Sequence, residues 1–166
     1  MDDKKRDAAI NQALRLLSDR AHSRSELESK LKSRGHAPEA ISRAMERLEQ
    51  LKLIDDRAFA GNCMESLAKR RPEGRIKTLA RLKQKGLSEE IVEEMMKGYD
   101  PEKLCAAAAE KKMRTLSGTP EVKRKKLLTF LRNRGFDWQA INQALTKLGA
   151  PEEDQDDYQS PGLTRF

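Results

Sequence analysis

The chain has 166 residues, of which 37% are hydrophobic, 37% are charged and only 4% are aromatic. So few aromatic side chains favour several small helical cores filled by Leu, Ile, Met and Ala over one large core. The net charge is +7, and no apolar run approaches the roughly 20 residues that span a bilayer, which excludes a membrane-spanning helix.

The first predicted unit, residues 7–54, contains three amphipathic helices. The first runs from about Asp7 to Arg20. Either Ser23 or Ser25 caps the second, which ends at Gly35, where a positive φ is expected. Pro38 opens the third helix, at a position where its missing N–H is harmless. The predicted buried positions are Ala9, Leu14, Leu17, Leu27, Leu31, Ile41, Met45 and Leu48.

The second predicted unit, residues 55–99, has the same organisation. Its first helix runs from about Asp56 to Arg70, and the chain breaks at Pro72. The next helix ends before Gly86, and Ser88 caps the third. Acidic residues fill the first turn of this third helix, where they favour the helix dipole.

The third predicted unit, residues 100–149, begins with the pair Asp100-Pro101, a cap followed by a first helical residue. Its last helix is capped by Asp137. Residues 150–166 form an acidic tail that we expect to be disordered, because it has too few apolar residues to offset its ordering entropy. This tail is either a solvated extension or a mimic of a phosphate backbone that folds onto the basic body.

A sequence repeat supports this division. The pattern L-[KR]-x-[RK]-G occurs at Leu31–Gly35, Leu82–Gly86 and Leu131–Gly135, so the glycines are 51 and 49 positions apart. A fixed period of about 50 residues is typical of tandem supersecondary units. The sequence therefore predicts an all-α protein with three tandem three-helix repeats that resemble helix-turn-helix units.

No pattern of catalytic residues is found. The phosphate-binding, dinucleotide-binding, zinc-protease and hydrolase motifs GxxxxGK[ST], GxGxxG, HExxH and GxSxG do not occur. His22 and His36 fall in predicted turns. Cys63 and Cys105 belong to no CxxC motif and are expected to be small core residues. We therefore expect no enzyme activity, no catalytic residue, no cofactor and no metal site, and we expect the protein to be cytoplasmic.

Basic residues, in contrast, cluster. The acidic tail has a net charge of −4, so the total of +7 leaves +11 for residues 1–150, which favours a polyanionic partner such as nucleic acid. Cations just inside a helix N-terminus oppose its dipole, so the run at residues 123–126 indicates an external anion, although a solvated face explains it equally well. The predicted contact residues are Lys69, Arg70, Arg71, Arg75, Lys123, Arg124, Lys125, Lys126, Arg132 and Arg134.

The chain resembles the RecX family, regulators of the bacterial recombinase RecA, over roughly residues 8–148. The resemblance rests on Ser23–Leu31, on Leu53-Ile54-Asp55-Asp56 followed by Phe59-Ala60, on Leu82–Gly86 and on Phe130–Gly135. It implies an elongated, curved helical array that lies in the groove of the RecA–DNA filament. It also implies inhibition of RecA's recombinase, ATPase and coprotease activities, with roles in DNA repair, recombination and the SOS response.

The implied partners are the RecA filament and single- and double-stranded DNA without sequence specificity, with no membrane partner. We expect the chain to be a monomer. Two alternatives stay open: a helix-turn-helix-like DNA-binding protein that acts without RecA, and a helical adaptor that binds only protein. The third helix of the second repeat is rich in glutamate, which argues against base readout by that helix.

Overall fold

The computed structural model describes residues 2–149, with side chains from residue 8 onward. Within this range there are nine α-helices and no β-strand, which confirms the all-α prediction. The predicted disorder of the acidic tail concerns residues 150–166, which lie outside the described range. The helices are α1 (Asp2–Asp19), α2 (Arg24–Ser33), α3 (Pro38–Gln50), α4 (Asp56–Arg70), α5 (Arg75–Gln84), α6 (Glu89–Lys97), α7 (Pro101–Met113), α8 (Pro120–Asn133) and α9 (Trp138–Lys147).

The predicted helix signals are confirmed at the atomic level. Ser23, Asp100 and Asp137 each accept a hydrogen bond from the backbone N–H three residues later, at 3.1, 2.9 and 2.8 Å. Such caps satisfy donors that have no partner within the helix. The three repeat glycines have φ values of 82°, 72° and 78° at Gly35, Gly86 and Gly135.

Two predictions about the first helix are wrong. It begins at Asp2 instead of about Asp7. Leu14 is 39% exposed, whereas Ala13 and Leu16 are buried. The reason is helical register: Leu14 follows Ala9 by five residues, about 140° around the helix, while Ala13 follows it by one turn.

The described residues form two compact units. The first runs to Met64 and resumes over Arg81–Lys97; the second comprises Glu65–Ala80 and resumes at Gly98. The compact units are defined by contacts between residues, whereas the predicted domain ranges 7–54, 55–99 and 100–149 come from the sequence repeat. These ranges therefore stay a prediction.

The core of the first unit is formed where α1 packs along α3, with α2 beside both. Leu27 and Leu31 of α2 are fully buried, as predicted. The remaining buried members are small or aliphatic, which fits the low aromatic content. They are Ala9, Ala13, Leu16, Ile41, Ala44, Met45, Leu48 and Ile54.

Polar contacts at the start of α2 reinforce the first unit. The hydroxyl of Ser23 donates to the carbonyl oxygen of Lys85 at 2.5 Å, and the ammonium of Lys85 bonds Glu26 at 2.9 Å. Arg20 bonds the same carboxylate at 3.0 Å. Burial opposes ionisation of Glu26, but the two cations outweigh it, so the pKa of this carboxyl is lowered from its ordinary 4.5.

The core of the second unit is formed mainly by α7 packing along α9, with α8 against α7. Phe136 is 1% exposed and belongs to this core. The other buried members are Cys105, Ala108, Ala109, Leu127, Leu131, Ala140, Ile141, Ala144 and Leu145.

Candidate nucleoprotein-binding surface

All ten predicted contact residues belong to the second compact unit. A short loop, Arg71–Gly74, joins α4 to α5, and its last three residues are buried. The N–H of Gly74 donates to the carbonyl oxygen of Arg134 at 2.8 Å. A Cβ atom at Gly74 would lie 1.6 Å from the carbonyl oxygen of Gly135. Only glycine therefore allows the α4–α5 loop to contact the α8–α9 turn this closely.

The loop is fixed from inside the unit by Glu73, whose side chain is 1% exposed and pairs with Arg71 at 2.9 Å. The carbonyl oxygen of Glu73 accepts hydrogen bonds from the hydroxyls of Tyr99 at 2.6 Å and Thr78 at 3.3 Å. Burial raises the pKa of Tyr99 from its ordinary 10 to about 12, so its hydroxyl stays protonated and able to donate even in alkaline solution.

These contacts bring two predicted basic clusters together. Gly74, between Arg71 and Arg75 in the chain, is hydrogen-bonded through its backbone to Arg134, the residue that follows α8. Lys77, on the first turn of α5, donates to the carbonyl oxygen of Asn133 at 2.6 Å. We call the five cations of this region the loop–turn surface: Arg71, Arg75, Lys77, Arg132 and Arg134.

Lys77 is not among the contact residues predicted from the sequence, although its position two residues after Arg75 in a basic first turn was a usable signal. Arg75 and Lys77 are both exposed, whereas Arg132 and Arg134 are half-buried. The loop–turn surface thus combines exposed cations with a backbone that is fixed by buried hydrogen bonds.

The predicted cations at the end of α4 are more loosely placed. Lys69 pairs with Glu65 at 2.6 Å, and both side chains are more than half exposed. Exposed ion pairs one helical turn apart are screened by water and contribute little to stability, so a phosphate can replace Glu65 at low cost. Arg70 is exposed.

The run at the start of α8 is divided by helical register. Lys125 and Lys126 are exposed and Lys123 is half-buried, but Arg124 is only 8% exposed. Arg124 precedes the buried Leu127 by three residues, so it lies on the face of α8 that packs inward. It offers a partner less surface than its neighbours do.

A groove of about 480 Å³ lies on the surface of α8, next to the end of α7. Phe130 is half-buried in its wall, with the ammonium of Lys112 at 5.4 Å and the guanidinium of Arg134 at 4.9 Å from the ring centroid. Neither Lys112 nor Phe130 is among the contact residues predicted from the sequence. The residues lining this α7–α8 groove are Lys112, Leu116, Lys125, Lys126, Thr129, Phe130 and Asn133.

The described residues contain no group of three or more His, Cys, Asp or Glu side chains that can hold a metal ion. None of the helices described there is both long and apolar enough to cross a membrane.

Comparison with known proteins then identifies the family. The models of the first, second and third three-helix domains of RecX match residues 9–48, 55–96 and 97–145. The chain belongs to the RecX family. It is 56% identical over 153 residues to a protein named Regulatory protein RecX from Chlorobaculum tepidum, covering 92% of this chain and 95% of that relative.

Further relatives and a solved structure agree. The Regulatory protein RecX of Pelodictyon phaeoclathratiforme is 42% identical over 158 residues, covering 95% of this chain and 99% of the relative. The crystal structure of RecX from Lactobacillus salivarius superposes with a TM-score of 0.72 at 25% identity, covering 88% of this chain and 97% of that one.

The acidic pair that carried the RecX resemblance has an architectural role in this chain. Asp55 accepts a hydrogen bond from the N–H of Ala58 at 2.9 Å and so caps α4. Asp56 accepts one from the N–H of Arg24, the first residue of α2, at 2.8 Å. These two carboxylates thus fix the path between α3 and α4 against the start of α2.

Proposed function

We propose that this RecX-family chain is a non-enzymatic, monomeric regulator that binds the RecA–DNA filament in the cytoplasm. Binding inhibits the recombinase, ATPase and coprotease activities of RecA. The observation that carries the proposal is the match of all three RecX domains in order along the chain. The name that the relatives share, Regulatory protein RecX, supports the regulatory role.

The loop–turn surface supports the nucleic-acid part of the proposal. Cations on a fixed backbone suit the phosphates of a nucleoprotein filament, and such contacts give affinity without reading the sequence. Binding of this kind weakens steeply as salt is raised.

The alternative, a helix-turn-helix-like protein that reads DNA bases without RecA, receives less support. Helix α6 is acidic, and two of its glutamates, Glu90 and Glu94, pair with Arg57 at 2.8 and 3.0 Å. On α9, the side chains of Gln139 and Gln143 both donate to Glu102, at 3.2 and 2.9 Å. These amides are engaged within the fold, which argues against base readout by either helix.

The proposal is tested by co-sedimentation of the chain with preformed RecA–single-strand filaments. The variant Arg70→Ala/Arg75→Ala removes two exposed cations of the second unit. The control, Arg15→Ala/Arg43→Ala, removes two exposed arginines from α1 and α3. We expect wild type and control to sediment alike and the first variant to bind about tenfold more weakly, because two phosphate contacts are lost.

Two results would count against the proposal. Wild-type protein that stays in the supernatant while binding bare duplex DNA would favour the DNA-binding alternative. Filament binding that is unaffected by salt and by both variants would favour an adaptor that recognises protein alone.

A further inference from the structure

We propose that the α7–α8 groove binds a segment of single-stranded nucleic acid, with phosphates at its lysines and an unpaired base against Phe130. The inference rests on the nucleic-acid part of the proposed function and assigns that binding to a defined groove. Two features of the groove carry it: the charge of its rim and the apolar character of its wall.

The rim has three ammonium groups that come from two helices. Lys112 is near the end of α7, and Lys125 and Lys126 are exposed on α8. Among the described residues that line the groove, none is acidic. An anion of the groove's size, such as a phosphodiester segment, therefore meets three cations and no opposing carboxylate.

A second groove of the same unit has the opposite character. It has a volume of about 370 Å³, and its lining includes Asp100, Glu102 and Glu110 alongside two lysines. Because carboxylates there repel phosphates, it serves as an internal comparison. The positive charge of this chain is therefore not spread evenly over the surface grooves of the second unit.

The wall of the α7–α8 groove adds an apolar surface that phosphates alone do not require. Leu116 and the ring of Phe130 are half-buried there, with the hydroxyl of Thr129 and the amide of Asn133 beside them. Bases of a single strand are free to pack on an aromatic side chain, whereas bases in a duplex are stacked on each other. The combination of cationic rim and aromatic wall favours a single strand over a duplex.

Phe130 also interacts with the cations themselves. Lys112 and Arg134 lie 5.4 and 4.9 Å from its ring centroid, within the range of a cation–π interaction. The ring therefore positions one cation of the groove and one of the loop–turn surface. A strand that follows α8 from Lys125 to Arg134 would pass over about nine residues, or roughly 14 Å.

The test measures binding of a fluorescein-labelled oligothymidylate by fluorescence anisotropy, with RecA absent, over a range of salt concentrations. The variant Lys125→Ala/Lys126→Ala should lower the slope of log affinity against log salt by about 1.4, which is roughly 0.7 for each lost phosphate contact. Phe130→Leu should weaken binding about tenfold with little change in this slope, because stacking is lost while the charge is kept.

The control Lys32→Ala/Lys97→Ala removes two exposed lysines of the first unit and should leave both affinity and slope unchanged. A second readout uses an oligonucleotide that contains 5-iodouracil. Irradiation should give a cross-link on the peptide that contains Phe130, identified by mass spectrometry. Leucine keeps most of the apolar volume, and circular dichroism checks that this variant folds; the lysine variant changes only exposed positions.

Several results would overturn the inference. If both groove variants bind the oligonucleotide with wild-type affinity, the groove is excluded as a nucleic-acid site. If these variants still co-sediment with the filament, the proposed function stands. Reduced affinity only in the lysine variant, without a cross-link to Phe130, would reduce the groove to an electrostatic patch. If the groove variants still bind the oligonucleotide but no longer bind DNA-free RecA, the α7–α8 groove is a protein-docking surface.

Discussion

Substitution of Gly74 by alanine should separate the α4–α5 loop from the α8–α9 turn. The new Cβ atom would lie 1.6 Å from the carbonyl oxygen and 2.1 Å from the carbonyl carbon of Gly135, and 2.6 Å from the nitrogen of Phe136. All three are backbone atoms, so no side chain can rotate away to make room. The loop must move, and its hydrogen bond to the carbonyl oxygen of Arg134 must break.

The magnitude follows from the contacts that are lost. Overpacking in a tight site costs about 1–3 kcal/mol. Loss of the Gly74–Arg134 and Tyr99–Glu73 hydrogen bonds adds about 0.5–1.5 kcal/mol for each. The smaller entropy of the unfolded alanine chain returns about 0.4–1 kcal/mol. We expect Gly74→Ala to destabilise the second unit by about 3 kcal/mol.

The assay is urea unfolding combined with amide hydrogen exchange, which assigns the loss to α8 and α9. Gly61→Ala is the matched control, because Gly61 is inside α4 and a Cβ there meets nothing within 4 Å. It should stabilise the protein by about 0.5–1 kcal/mol. A Gly74→Ala protein that unfolds within about 0.5 kcal/mol of wild type would refute the close approach of the two loops.

Three further predictions concern individual side chains. The pKa of Glu26 is lowered in the folded protein, so its carboxylate stabilises the first unit above pH 4.5, and this stabilisation is lost as pH falls through the folded pKa. The difference in stability between wild type and Glu26→Gln, measured by thermal unfolding, should therefore shrink in acid. A difference that stays constant with pH would contradict this assignment. Burial raises the pKa of both thiols, that of Cys105 to about 12, and Cys105 is fully buried whereas Cys63 is half-buried, so Ellman's reagent should modify Cys63 well before Cys105 in native protein; equal rates would show that the core of the second unit opens. Asp137→Ala removes the cap of α9 and should cost about 1 kcal/mol in urea unfolding, whereas Asp137→Asn, which still caps, should cost much less.

Much of the fold could be predicted because its signals are local. Caps such as Ser23 and Asp137, and glycines with positive φ such as Gly35, act within a few residues of their own position. The prediction for Leu14 was wrong because the apolar residues of a long helix can be assigned to more than one buried face. Only packing against α3 determines that Ala13 and Leu16 are the buried residues. Local chemistry thus sets helix ends, and tertiary contacts select the buried face.

The candidate site was less predictable because it depends on contacts between distant segments. Nothing near Gly74 in the sequence indicates that it must contact Gly135, which follows 61 residues later. The pairing of Lys112 with Phe130 likewise requires two helices to be placed side by side. The burial of Arg124, in contrast, was available from the sequence, because it precedes Leu127 by three residues and so shares its helical face.

The most direct test of RecA regulation is the single-strand-dependent ATP hydrolysis of the host's own RecA. The chain is added in steps, starting well below one copy for each RecA monomer. We predict that ATP hydrolysis is lost at these substoichiometric ratios, because one bound regulator affects a filament of many subunits. Unchanged hydrolysis even with excess chain, while DNA binding is intact, would contradict the account and leave a DNA-binding protein that acts without RecA.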